Sequence, residues 1–101
     1  MSNRIITHQL AHEEFLNAVA WYEDQLPGLG TRFLEKVKQK LSQIESHPEN
    51  FGKIQGELRT AKVDKFPYAI VFEFLPRKKV IHISSIYHSK RNPRKKFRRL
   101  K

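Results

Sequence analysis

The stretch FPYAIVFEFLPRKKVIHISSIYH, residues 66–88, sets the strongest constraint on how this chain folds. Two runs dense in aromatic and β-branched residues, Phe66–Leu75 and Val80–His88, flank PRKK at Pro76–Lys79. That pattern reads as a β-hairpin with a short turn. In the first arm Ile70, Phe72 and Phe74 share one face, and Ala69, Val71 and Glu73 share the other. Simple alternation in the second arm sets Ile81 and Ile83 against His82, Ser84, Ile86 and His88. A two-stranded hairpin this apolar is not stable alone in water and needs a second layer to cover it.

The N-terminal half supplies that layer. RIIT (Arg4–Thr7) is β-branched and reads as a short edge strand. Phe15, Val19, Tyr22 and Leu26 then recur every three or four residues, with Glu13, Glu14, Asn17 and Glu23 between them, which is the period of a helix. LPGLG (Leu26–Gly30) interrupts the pattern, because Pro and Gly are strong punctuation. Phe33, Leu34, Val37, Leu41 and Ile44 mark a second helix that stops before SHPEN. So short a break favours an antiparallel helical hairpin. ELRTAKVD (Glu57–Asp64) reads as a further strand. The order is β-α-α-β-β-β, an α+β domain in which a helical hairpin covers one face of a mainly antiparallel sheet of about four strands and leaves the other face open. One domain spans 1–101, with a basic C-terminal segment from 88 to 101 and no repeat or linker.

The chain has no Cys, which excludes disulfides, thiolate metal sites and a Cys nucleophile. MSNRIITHQLAHEEF holds no apolar run of signal-peptide length, and no stretch nears the roughly 20 apolar residues of a spanning helix. A cytoplasmic protein without a membrane partner is expected.

The net charge of +10 is unevenly laid out. Residues 1–73 hold nine Lys or Arg against ten Asp or Glu, whereas residues 74–101 hold eleven Lys or Arg and no acid. Asymmetry of this kind points to an anionic partner. Lys90, Arg91, Arg94, Lys95, Lys96, Arg98 and Arg99 are the candidate anion- or nucleic-acid-binding residues, with Phe97 as an anchor back to the core.

PGLGTRF lacks the third glycine and the Lys-Ser/Thr of a phosphate loop, so it reads as a turn between helices. His8 and His12 lie four apart with no third ligand at metal spacing, and read as exposed polar residues. No metal site or cofactor is expected. Tyr22 reads as core, and Trp21 as partly exposed against a neighbouring element or a partner. The end of the last strand is different. Tyr87, His88, Lys90 and Arg91 fall within five residues. His exchanges a proton near neutral pH, Tyr donates one or stacks on a base, and Arg clamps a phosphate through paired hydrogen bonds. With Arg59 from a neighbouring strand as a second cation, Tyr87, His88 and Arg91 form a candidate catalytic set for RNA cleavage by its own 2′-hydroxyl. The same groups equally suit a passive anion site.

AVAWYEDQLPGLGTRFLEKV, LRTAKVDKFPYAIVFEF and IHISSIYHSKRNPRKKFRR, in this order, resemble the RelE/ParE superfamily of toxins from type II toxin–antitoxin pairs. WYE with GLG, FPYAIVF and YHSKRNP carry most of the resemblance. It implies the β-α-α-β-β-β fold and a small basic toxin, associated with plasmid stabilization and growth inhibition, that a cognate acidic antitoxin neutralises. It also implies one of two targets. RelE-like members cleave mRNA in the ribosome without a metal, and ParE-like members inhibit DNA gyrase without acting as enzymes. RelE-like nucleases carry a cation just after the Tyr that opens the central strand, where this chain has Ala69 after Tyr68. They also carry a Tyr near the C-terminus, where this chain offers Phe97 or the basic cluster. Arg91 matches their basic residue after the last strand, while the YHSKRNP ending is common among ParE-like members. A degenerate toxin that only binds its antitoxin is a further reading.

Overall fold

A computed structural model of the chain describes residues 3–90. Strand β1 (Arg4–Thr7) leads into helices α1 (Gln9–Gln25) and α2 (Leu29–Ser46), and a single 3-10 turn (Pro48–Asn50) follows. Strands β2 (Lys53–Gln55), β3 (Leu58–Lys62), β4 (Tyr68–Leu75) and β5 (Val80–His88) complete the order. They form one five-stranded sheet in the order β1-β5-β4-β3-β2, with β1 parallel to β5 and every other pair antiparallel. The α+β architecture and the edge position of Arg4–Thr7 are as the sequence indicates. The additional strand is β2, three residues too short to show any alternation.

The helical hairpin is closed by a specific device. Gly28 takes a left-handed φ of 91° and begins α2, a conformation that L side chains adopt only at a cost. The first turn of a helix leaves backbone N–H groups without partners. Here the Glu23 carboxylate of α1 accepts from two of them, Gly28 N–H at 2.9 Å and Gly30 N–H at 3.0 Å. Its negative charge also suits the positive end of the helix dipole. Gly30 itself lies against α1, and a Cβ placed there would stand 2.7 Å from the Val19 carbonyl oxygen. The WYE and GLG motifs are therefore two halves of one joint. Replacing Glu23 by Ala is expected to lower stability by about 1–2 kcal/mol. Urea denaturation reads this out, and an unchanged midpoint would contradict the capping role.

The core lies between the helices and one face of the sheet. Phe33 of α2 sits at its centre with no exposed surface. Its ring centroid is 5.1 Å from Tyr22, 5.1 Å from Phe66, 5.0 Å from Tyr68 and 6.1 Å from Phe15. Ile44, Ile70, Phe72, Ile81 and Ile83 extend the same cluster.

The faces of β5 depart from simple alternation. Val71 pairs with Ser85 and Phe72 with Ile83, so Ser84 is an extra residue in a β-bulge. After the bulge the pattern shifts by one. Ile86, opposite Ile70, joins Ile81 and Ile83 on the helix-facing side. His88, opposite Tyr68, lies on that side too, whereas His82, opposite Glu73, lies on the other. The shared face expected for His82, Ile86 and His88 is thus corrected. The outer face is also less open than expected. Val71 is fully buried there, in a small cluster with Ala69, Tyr87 and the half-buried Leu58.

Candidate functional site

The strands and α1 leave a cleft of about 500 Å³ at the end of β5. Glu14, Asn17 and Trp21 from α1 form one wall, and Tyr68, Tyr87 and His88 from the paired strand ends form the other. Each wall has a local cause. Strand β1 pairs with β5 only as far as Ile83, so the edge of β5 beyond that point has no neighbouring strand. Glu14 of α1 takes its place. Its Oε1 accepts from the Ile86 N–H at 3.0 Å and from the Ser85 hydroxyl at 2.8 Å. Ser85 is fully buried, so this pairing removes a cost that an unbonded hydroxyl would carry. Trp21 lies on the flank of α1, 52% exposed, with its ring at right angles to Tyr22 at 5.1 Å. It is the only Trp in the chain.

His88 stands at the cleft mouth. Its ring meets Tyr68 edge-on at 5.3 Å, and its Nδ1 accepts from the Lys90 N–H at 3.2 Å. That bond places the proton of the neutral ring on Nε2. Tyr87 points to the opposite face of the strand. Burial raises its phenol above the ordinary value of 10.0. The neutral form is the one favoured by folding, and the unfolded chain ionises first. Stability from this group is therefore full below about pH 10 and is lost as the pH climbs toward the raised folded value. In a tyrosinate absorbance titration, Tyr87→Phe should remove one step lying above the ordinary tyrosine range; an unchanged titration curve above about pH 10 would contradict this assignment.

Arg59 is set apart from His88. It pairs with Phe72, four residues along β4 from Tyr68, the partner of His88, which is about 13 Å of strand. Its Nη1 donates to the Phe51 carbonyl at 2.6 Å, fastening the 3-10 turn to the sheet. Tyr87, His88 and Lys90 are thus brought to one strand end, and Arg59 is not. Arg91, Arg94, Lys95, Lys96, Arg98 and Arg99, with Phe97, lie outside the described residues. His8 and His12 sit at the start of α1, with the His8 ring 6.1 Å from that of His82. Among the described residues no group of three or more His, Cys, Asp or Glu is placed to hold a metal, and no helix is long and apolar enough to cross a membrane. Glu14 was missed as a site residue in the sequence. An acid on a helix reads as solvent-facing, and its partners lie 71 and 72 positions away.

The fold is that of known toxins from toxin–antitoxin systems. A chain from the chromosomal ParDE system of P. aeruginosa superposes with a TM-score of 0.74 at 12% identity, covering 87% of this chain and 97% of that one. A mutant of the E. coli toxin RelE in the free state gives 0.68 at 20% identity, covering 92% and 90%. The isolated E. coli RelE toxin gives 0.65 at 19% identity, covering 98% and 99%. No curated protein sequence matches this chain.

The sequence itself settles the family. The model of the ParE toxin of the type II toxin–antitoxin system parDE matches residues 5–93, and the chain belongs to that family. It is a toxin of a type II pair, with a cognate antitoxin as partner.

Proposed function

We propose that this toxin arrests growth by binding a protein target, DNA gyrase, and does not cut RNA. The observation that carries this reading is the Glu14 carboxylate in the cleft of His88. RNA cleavage needs cations around a crowded phosphate, and a carboxylate in the same cleft does not supply one. Two further features support it. Arg59 is engaged with a backbone carbonyl, and the position after Tyr68 holds the buried Ala69, where RelE-like nucleases carry a cation. In the cell the toxin is cytoplasmic, and an acidic antitoxin segment covers its basic surface.

Purified protein in a supercoiling assay, beside a translating extract with mapped mRNA 5′ ends, tests the proposal. Inhibited supercoiling with intact mRNA, reversed by the antitoxin, is the expected result. Unaffected gyrase together with cut mRNA would overturn it. That outcome would favour the second reading, a ribosome-dependent endoribonuclease built on His88 and Arg91, for which the proximity of His88 and Lys90 speaks. Salt separates the two as well. Binding to RNA weakens steeply as salt rises, because counterions are released, while shape-driven protein binding changes little.

A further inference from the structure

The turn that joins β4 to β5 concentrates positive charge far from the cleft. Arg77, Lys78 and Lys79 follow one another there, and all three are exposed. Arg4, at the start of the edge strand β1, pairs with Val80 and brings a fourth exposed cation alongside. Val80 and His88 stand at opposite ends of β5, which sets this turn about 26 Å from the His88 end. The nearest acid on either arm is Glu73, paired across to His82. Ion pairs among the described residues join Lys40 to Asp64 and Lys53 to Glu57, and neither involves these four cations.

The backbone holds the cluster in place. Leu75 pairs with Val80, and the Lys79 N–H donates to the Pro76 carbonyl at 3.2 Å to close the turn. The Lys79 carbonyl accepts from the Arg4 N–H at 2.8 Å, which fixes Arg4 beside it. Pairing of β3 with β4 reaches only as far as Glu73, so Phe74, Leu75 and the turn extend past β3. Lys79 has a φ of 54°, a left-handed conformation that suits glycine at the end of a hairpin turn. A lysine there works against the local backbone preference, and such departures cluster where a side chain is used.

The turn has no aromatic or long aliphatic side chain. It therefore lacks the stacking surface that single-stranded bases need and the buried anchors that hold a protein partner. Clustered Arg and Lys on a fixed backbone suit phosphates. The two arms form a β-ribbon, a shape that the roughly 12 Å major groove of B-DNA admits and the deep, narrow major groove of duplex RNA excludes. We propose that the β4–β5 turn, together with Arg4, is a contact surface for the phosphate backbone of duplex DNA. It lies outside the cleft and does not rest on the gyrase reading.

Fluorescence anisotropy of a labelled DNA duplex, titrated with the full chain over a range of salt, tests the proposal. Each phosphate contact adds about 0.9 to the slope of log affinity against log salt. Arg77→Gln with Lys78→Gln and Lys79→Gln should therefore flatten the slope by about 2.7, and Arg4→Gln by about 0.9. Arg32→Gln with Lys38→Gln, at two exposed cations of α2, removes charge elsewhere and should leave the slope nearly unchanged. Lys79→Gly separates binding from folding. It should weaken DNA binding about eightfold at about 0.1 M salt, while raising the thermal midpoint because glycine accepts the left-handed φ. Equal flattening per charge at α2 and at the turn would overturn the proposal, as would a Lys79→Gly chain that binds DNA as tightly as its parent. Duplex RNA or polyglutamate bound as tightly as the DNA would overturn the choice of partner.

Discussion

Replacing Phe33 by Ala is expected to cost this protein about 3–5 kcal/mol, the range for deleting a fully buried aromatic ring. Phe33 has no exposed surface, and four other rings pack around it. The pairs with Phe66 and Tyr68 are edge-on and contribute beyond simple burial, and the cavity left behind cannot collapse onto a helix and a sheet at once. A domain of this size holds only about 5–15 kcal/mol in total, so the loss is a large part of its stability. Thermal unfolding should show a fall in Tm of at least about 12 °C. Phe33→Leu, which keeps most of the apolar volume, should cost about 1 kcal/mol. Equal midpoints for the two variants would show that the ring cluster is not the centre of the core.

Gly30→Val should be nearly as severe, at about 3 kcal/mol, though Gly30 buries almost no apolar surface itself. The obstruction is backbone. A Cβ would stand 2.7 Å from the Val19 carbonyl oxygen and 2.9 Å from Glu23 Oε1, and a branched side chain would add two methyl groups in the same space. Either α1 and α2 must separate, with Phe15 and Phe33 between them, or the Glu23 cap must break. Gly28→Ala meets nothing within 4 Å and carries only the cost of its left-handed φ, about 1–2 kcal/mol. Chemical denaturation of the two variants distinguishes close approach from conformational strain. A milder effect at Gly30 than at Gly28 would mean that the helices have room to spare.

What could be read from the sequence follows the range of the interactions involved. Helix periods, the LPGLG break and the alternation of β4 are local, and each element stands where its residues indicate. The bulge at Ser84 is only partly local. Ile81, Ile83 and Ile86 are spaced by two and then three, and that irregular step is the signal of the inserted residue. Strand β2 has no such signature, since Lys53–Gln55 is positioned by pairing with β3. At the site, Tyr87, His88 and Lys90 were recognisable as a cluster because they are neighbours in the chain. The separation of Arg59 was not, because alternation says which face a residue takes but not how far along the sheet it lies. The role of Glu14 depends on a contact that only the folded topology creates.

Strand β5 lies between the first strand of the chain and its antecedent β4, and it also receives Glu14. The N-terminal half therefore cannot complete its packing until the last described strand has been made. Synthesis proceeds from the N-terminus, and contacts this distant in sequence close late. A polypeptide halted before Val80 would carry α1 and α2 with β5 missing, β1 unpaired and the cleft unbuilt. Harmful activity in this chain is thus coupled to its completion, and fragments released early should be inert.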